Sequence, residues 1–468
     1  MMEQKKNTLR ERVRETEQRC GSQVMADRHR MEYHLMAPVG WLNDPNGLCQ
    51  FRDTYHVFFQ YAPFYPNDYL KCWGHYTSED LVHFRYQGAP VLPDREFDRD
   101  GAYSGCAIGL GDRLYLFYTG NVKEEGEHDY VLSGRGANVI RMTSLDGIHF
   151  EDKRCILTNE DYPAECTCHV RDPKVYKGKD GAYHMVLGAR LRGDRGAILL
   201  YRSQDLEHFI YEGMHMTEKD FGYMWECPDI FTLDGHRVLS VSPQGVASER
   251  YRYQNIYQSG YFVEGSETFT EWDMGFDFYA PQTFADAEGR QILIGWAGVP
   301  DAEYDSDPTQ AGWNHSLTVP RELFYREGRI CQYPVQELET LRRERLMPDE
   351  KGCVMLEQGC GDVLIHSVKE GTGSICIGTG CVLEFGQNEI TLSFQDETGA
   401  GRGIRRAKSS PVQDLRILMD VSILEIYING GEMVFTSRIF MPEKAVQIQM
   451  DLKAEDIAIY RMEGMVKE

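Results

Sequence analysis

The sequence predicts an all-β fold whose larger part is a five-bladed β-propeller, and two observations predict it. From residue 31 to about 330 the texture is short strands and turns: residues 55–60, 114–118, 183–187 and 292–296 are rich in β-branched and aromatic residues and bounded by Gly, Asp or Asn. Two series of motifs also recur in step. Thr77-Ser78-Glu79-Asp80-Leu81-Val82-His83-Phe84 matches Thr143-Ser144-Leu145-Asp146-Gly147-Ile148-His149-Phe150 and Arg202-Ser203-Gln204-Asp205-Leu206-Glu207-His208-Phe209. A degraded fourth copy starts at Ser266, and the four serines are 66, 59 and 63 residues apart. The second series is Asn43-Asp44-Pro45, Tyr103-Ser104-Gly105, Arg171-Asp172-Pro173, Glu226-Cys227-Pro228 and Tyr279-Ala280-Pro281, in steps of 60, 68, 54 and 53 from Asp44 to Tyr279. Five polar strand-starts at a period near sixty imply five blades, each with room for four strands and generous loops.

The elements follow in order. Residues 1–30 are charged and helix-permissive, with Lys5, Lys6, Arg10, Arg12 and Arg14 among glutamates, and predict an N-terminal helical extension packed on the main domain. A secretory signal needs a run of several apolar residues and a spanning helix about 20, and neither pattern occurs, so the reading is a cytoplasmic protein with no membrane partner. Residues 31–330 form the propeller. Residues 331–348 read as a linker helix, with Leu338, Leu341 and Leu346 among charges. From 349 to 468 alternating strands resume, with Asn429-Gly430 as a hairpin signal.

Composition bounds the function. At 468 residues the chain holds two domains, and a formal charge of −23 argues against a nucleic-acid or anionic-membrane partner, either of which needs a basic face. Thirteen cysteines, scattered from Cys20 to Cys381, suit reduced thiols better than a disulfide framework. The tight cluster Cys166-Thr167-Cys168-His169 lacks a partner pair at zinc-finger spacing. His83, His149 and His208 hold one position in successive repeats, so they belong to separate blades and read as a recurring turn contact. No metal and no cofactor is expected. Oligomeric state is not legible, and a homo-oligomer is compatible with the sequence.

The second series carries the chemistry. Trp41-Leu42-Asn43-Asp44-Pro45-Asn46-Gly47 packs a carboxylate, two amides and an indole into seven residues. Pro45 biases Asp44 toward extended backbone, and Asn46-Gly47 reads as a turn. In a propeller the first strand of each blade lines the axis, so Asp44, Asp172 and Glu226 converge on one pocket. Three carboxylates in one cleft repel, which raises at least one pKa. An ionised nucleophile beside a protonated acid is the requirement for glycoside hydrolysis. The alternative is a calcium site, but Trp41, Tyr279 and Trp296 suit the apolar face of a saccharide better than an ion shell.

These motifs resemble glycoside hydrolase family 32, the invertase and fructanase family. Besides the Asp44, Asp172 and Glu226 motifs, the resemblance rests on Phe59-Gln60, Trp73-Gly74-His75, Tyr103-Ser104-Gly105, Asp277-Phe278-Tyr279-Ala280-Pro281-Gln282, Gly295-Trp296 and Leu317-Thr318-Val319-Pro320-Arg321-Glu322-Leu323. It implies a five-bladed propeller followed by a C-terminal β-sandwich, packed on the propeller without chemistry of its own. It implies that Asp44 is the nucleophile on a β-fructofuranosyl unit and Glu226 the acid and base. Asp172 would stabilise the transition state, with Arg171 setting its charge. Leu42, Asn43, Gln60, Trp73, Tyr103, Ser104, Arg171, Tyr279 and Trp296 are the implied pocket residues. Where extracellular invertases carry a tryptophan five residues before Trp-Gly-His, this chain has Asp68, then Tyr69. The segment Leu70-Lys71-Cys72-Trp73-Gly74-His75-Tyr76-Thr77-Ser78 instead resembles intracellular sucrose-6-phosphate hydrolases and sucrases. The expected activity is hydrolysis of sucrose or sucrose 6-phosphate, with an exo-acting fructo-oligosaccharide hydrolase or a silent carbohydrate-binding propeller as alternatives. Lys71 is the expected phosphate contact.

Overall fold

The computed structural model describes residues 2–465, so Met1 and residues 466–468, the ends of the two predicted terminal segments, lie outside it. Five sheets follow one another along the chain, each laid out from its innermost strand outward. The innermost strands are Gly40–Phe51, Ala102–Leu110, Cys166–Lys177, Met224–Leu233 and Tyr279–Ala285. Each touches its neighbours all the way round, the fifth closing on the first. This is a five-bladed propeller, and all five polar strand-starts lie on its axial strands. A short strand from the fifth blade's long loop, Trp313–Asn314, pairs in parallel with Gly40–Phe51 and joins the last blade to the first.

The recurring serine motif is a turn. Asp80 accepts hydrogen bonds from the N–H groups of Val82 and His83 and from Ser78 Oγ, and pairs with His83 Nδ1 at 2.7 Å. Asp146 and Asp205 repeat the set with His149 and His208. Each turn links the third and fourth strands of its blade, which keeps the three histidines apart. At Ser266, among the described residues, the bond that remains of the set is the one the Thr268 N–H donates to the serine Oγ.

The N-terminal helix, Met2–Met25, packs Leu9, Val13 and Val24 into the core beside the first blade and sends Glu17 between the hydroxyls of Tyr61 and Tyr86. The predicted linker helix over 331–348 is corrected. Arg329–Pro334 is the outer strand of the fifth blade, turned back at Glu327-Gly328, where both residues have positive φ (50° and 85°). Only Gln336–Leu341 is helical, and it is a 3-10 helix: Leu338 and Leu341, three apart, fall on one buried face of a three-residue turn. Arg342–Leu346 is already a strand of the second domain, paired with Asp456–Met462.

That domain is a sandwich of two six-stranded antiparallel sheets. Val363, Ile417 and Ile426 from one sheet meet Ile375, Leu383 and Ile448 from the other. The hairpin turn is at Asn429-Gly430, both at positive φ (50° and 64°), between Ile423–Ile428 and Met433–Arg438. The sandwich grips the propeller through the segment before the first blade: Glu32, Tyr33 and His34 each donate a backbone N–H to the Asp420 carboxylate at 2.7–2.9 Å.

Candidate active site

The axial strands share an irregularity at the site. Register breaks between Leu42 and Pro45, Ala102 and Gly105, Glu226 and Asp229, and Tyr279 and Gln282, and in the third blade the break faces Arg171 to Lys174. A bulge inserts one residue into a ladder and re-aims the side chains beside it. Here five bulges at one level turn five strand-starts toward the axis. Asp172, Cys227 and Ala280 each precede a proline yet take left-handed φ of 63°, 46° and 47°, whereas Asp44 keeps a negative φ. Non-glycine residues in that region carry strain that the surrounding structure must impose. Gly105 is forced by contact: a Cβ there would lie 1.9 Å from the Phe117 carbonyl oxygen, so only glycine brings Ser104 this close to the axis.

Asp44, Asp172 and Glu226 converge. Asp44 Oδ2 accepts from Ser104 Oγ at 2.5 Å, and Oδ1 accepts from Asn43 Nδ2 at 3.0 Å. Gln60 donates to Ser104 and, at 3.5 Å, to Asp44. Asp172 accepts the N–H of Cys227 at 3.0 Å, and its own N–H donates to Thr119 Oγ1. The Cys227 thiol lies 3.7 Å from Oδ2 of both Asp44 and Asp172. On the facing side, Glu226 Oε1 accepts from Arg171 Nε (2.9 Å) and Nη2 (2.6 Å), and Oε2 accepts from Gln244 Nε2 (2.8 Å) and Tyr279 Oη (2.6 Å). Burial, then repulsion from Glu226 and Asp44 against the pull of Arg171, pushes Asp172 up to about 7. Burial also raises Asp44, with Glu226 adding to it and Ser104, Asn43 and Lys71 opposing. The cleft favours carrying a proton among its carboxyls near neutrality.

The aromatic wall is Trp41, Tyr279 and Trp296, with Trp296 edge-on to each of the other two at ring distances of 6.3 and 6.4 Å. Tyr65 and Tyr69 extend it outward, each within 6.1 Å of Trp41, and Tyr69 is 55% exposed. These two rings stand in the region where the Asp68 departure left the wall open.

Several expectations are adjusted. Arg171 makes its hydrogen bonds to Glu226 and, through Nη1, to His169 Nδ1 at 2.8 Å, and it acts on Asp172 only through space. Leu42 and Trp73 have no exposed surface. Trp73 is on a third strand, away from the axis, where its indole N–H donates to the Tyr103 carbonyl; it shapes the pocket from behind. Lys71 Nζ donates to Asn43 Oδ1 at 2.7 Å and lies 5.4 Å from the Trp41 ring centre, so it belongs to the Asp44 side of the site rather than to a solvated mouth. Gln244 and Thr119 lie outside the motifs legible in the sequence, and Cys227 stands in one of them with no role read from it. Gln244 had a signal. Asp234-Gly235 is a turn, and counting back along its hairpin brings Gln244 opposite Trp225, next to Glu226; the bulge then shifts it by one residue to face Met224.

The glycosyl hydrolases family 32 N-terminal domain matches residues 34–334 and the family 32 C terminal matches residues 386–460. The sucrose-6-phosphate hydrolase of Bacillus subtilis (strain 168) is 38% identical over 456 residues, covering 92% of this chain and 93% of the relative. The raffinose invertase of Escherichia coli is 36% identical over 444 residues, covering 89% and 91%. Among solved structures, the Bombyx mori GH32 beta-fructofuranosidase superposes with a TM-score of 0.87 at 27% identity over 99% of this chain and 100% of that one. The sucrose-6-phosphate hydrolase of Lactobacillus gasseri gives 0.85 at 28% over 97% of each.

Proposed function

The chain belongs to glycosyl hydrolase family 32, and from that premise we propose that it is a retaining β-fructofuranosidase acting on sucrose and sucrose 6-phosphate. One observation carries the reading: a carboxylate oriented by Ser104 and Asn43 and a carboxyl held by Arg171, Gln244 and Tyr279 meet on one axis, with a third carboxyl of raised pKa beside them. In the first step an Asp44 oxygen bonds to the anomeric carbon of the fructosyl unit while the bond to the glucosyl oxygen breaks, and Glu226 gives that oxygen its proton. In the second, water gives a proton to Glu226 and its oxygen replaces Asp44 at the same carbon. Two inversions retain configuration. Asp172 hydrogen-bonds the fructosyl ring hydroxyls as positive charge develops, and Trp41, Tyr279 and Trp296 enclose the ring.

Thirteen cysteines, all free, support a reducing compartment, the cytoplasm. Rates on sucrose, sucrose 6-phosphate and kestose, measured side by side for the wild type, Asp44→Asn and Glu226→Gln, test the reading. Hydrolysis of the two sucrose substrates should exceed that of kestose and fall by several orders of magnitude in either variant, with Asp172→Asn close behind. Wild-type-like rates in Asp44→Asn or Glu226→Gln sink the assignment, and a preference for kestose turns it to a fructo-oligosaccharide hydrolase.

A further inference from the structure

Three guanidinium groups gather on the rim between the second and third blades, around the imidazole of His169. After burial, it is Arg171, Arg135 and Arg190 that lower the proton affinity of this ring, holding it neutral. Two of the three are engaged. Arg171 is bonded to Glu226, and Arg190 to Asp194 at 2.6 Å. Arg135 differs: among the described residues its guanidinium has neither an ion pair nor a hydrogen bond, and its Nε is enclosed without a partner. The chain carries 73 Asp and Glu against 50 Lys and Arg, yet no carboxylate is among the groups whose charge acts on this half-buried arginine. Withdrawing a cation partly from water without a compensating bond is unfavourable, and the like charge of Arg171 adds to that. An anion arriving at Arg135 offsets both.

Its position fits a substrate anion. Arg135 opens the third strand of its blade and pairs with Lys123 on the strand that also carries Thr119, the acceptor of the Asp172 N–H. It therefore stands at the axial-pocket end of the blade, where its charge acts on Tyr103 and Arg171. Glu226 serves the leaving glucosyl oxygen, and its partner Arg171 is among the groups on which the Arg135 charge acts. A glucosyl unit leaving toward Glu226 would bring its substituents toward Arg171 and Arg135. Lys71, the other candidate cation, is committed to Asn43 on the Asp44 side.

We propose that Arg135 receives the phosphate monoester of a substrate phosphorylated on its glucosyl unit, and that it sets the preference for the phosphorylated sugar. A guanidinium presents its N–H donors in a fork that matches two phosphate oxygens. The proposal rests on the β-fructofuranosidase reading for the identity of the sugar, but the anion site is testable without turnover.

Calorimetric titration of the full-length wild type, Arg135→Gln and Arg135→Lys with glucose 6-phosphate, glucose and inorganic phosphate provides the test. Glucose 6-phosphate should bind the wild type about 10-fold more tightly than glucose, the weight of one charge-assisted contact. That advantage should vanish in Arg135→Gln and survive in part in Arg135→Lys. In parallel, the ratio of kcat/KM for sucrose 6-phosphate to that for sucrose should fall about 10-fold in Arg135→Gln. Equal binding of glucose and glucose 6-phosphate by the wild type, or an advantage that persists in Arg135→Gln, overturns the proposal. Inorganic phosphate binding as tightly as glucose 6-phosphate does so too, since the site would then recognise a free anion. Loss of the advantage in Arg135→Gln without any hydrolysis of sucrose would uphold the anion site and remove the hydrolase reading instead.

Discussion

Arg321 of the fifth blade and Glu425 of the sandwich are joined with no exposure of either side chain, Nε and Nη2 donating to Oε2 at 3.0 and 2.6 Å. The glutamate also accepts from the Val319 N–H, from the Tyr427 hydroxyl and from His34 Nε2, and the arginine's remaining N–H groups reach Asp273, Gln332 and Thr436. Every lone pair and proton has a partner, which is the condition under which two buried charges hold two domains in one relative placement.

Removing one partner of such a pair leaves the other charge buried alone. Glu425→Ala should therefore lower stability by about 3–5 kcal/mol, seen as a lower denaturation midpoint with an unchanged slope. A loss below about 1 kcal/mol, the level of a surface pair, would show that the junction is open to water in solution.

His34 makes the same junction pH-sensitive. Burial disfavours its charge, but hydrogen bonds to Asp420 (2.8 Å) and Glu425 (2.9 Å) and their negative charges outweigh it and raise its pKa from 6.5 to about 9. The folded value lies above the unfolded one, so the contribution is complete below the unfolded pKa and is lost as pH rises through about 9. The thermal midpoint should fall on the alkaline side of neutrality, and His34→Gln, which cannot titrate, should flatten that fall. An alkaline slope identical in wild type and variant assigns it to another group.

What the sequence disclosed follows the range of the contacts. The Ser78, Asp80 and His83 turn closes within five residues, so its pattern is readable directly and its recurrence counts blades. The meeting of Asp44 with Ser104 spans 60 residues and became legible only through the period. Gln244 was hidden by the bulge between Glu226 and Asp229, which shifts the register by a residue just where it matters. Glu32 to His34 against Asp420 lies beyond any such reading: their separation is more than 380 residues, and a buried acid at the end of a strand looks like a solvated one. The linker differs from the expected helix because Leu338 and Leu341, three apart, serve a six-residue 3-10 helix as well as they serve an α-helix.

Tyr279 offers a measurable share of the chemistry. Its hydroxyl donates to Glu226 Oε2 at 2.6 Å, and Gln244 shares that oxygen. Tyr279→Phe keeps the ring that walls the pocket and deletes one hydrogen bond to a charged group, worth about 1.5–3 kcal/mol. With Gln244 still in place, kcat for sucrose should fall by about 10-fold while KM changes little. A rise in KM at constant kcat would make the hydroxyl a substrate contact rather than a partner of Glu226.

Lys71 decides between two roles for one cation. Its ammonium donates to Asn43 Oδ1, and the Asn43 amide in turn donates to Asp44 Oδ1, so the lysine fixes which way the amide faces and the amide fixes the carboxylate. Without the ammonium the amide is free to flip and present its oxygen to the carboxylate, where two acceptors repel. The loss falls on the step at the anomeric carbon, which every substrate shares. Lys71→Met should therefore lower kcat/KM for sucrose and for sucrose 6-phosphate in the same proportion, by about 10-fold or more. Such a common loss places Lys71 with the nucleophile, whereas a loss confined to sucrose 6-phosphate would return the phosphate to Lys71 and take it from Arg135.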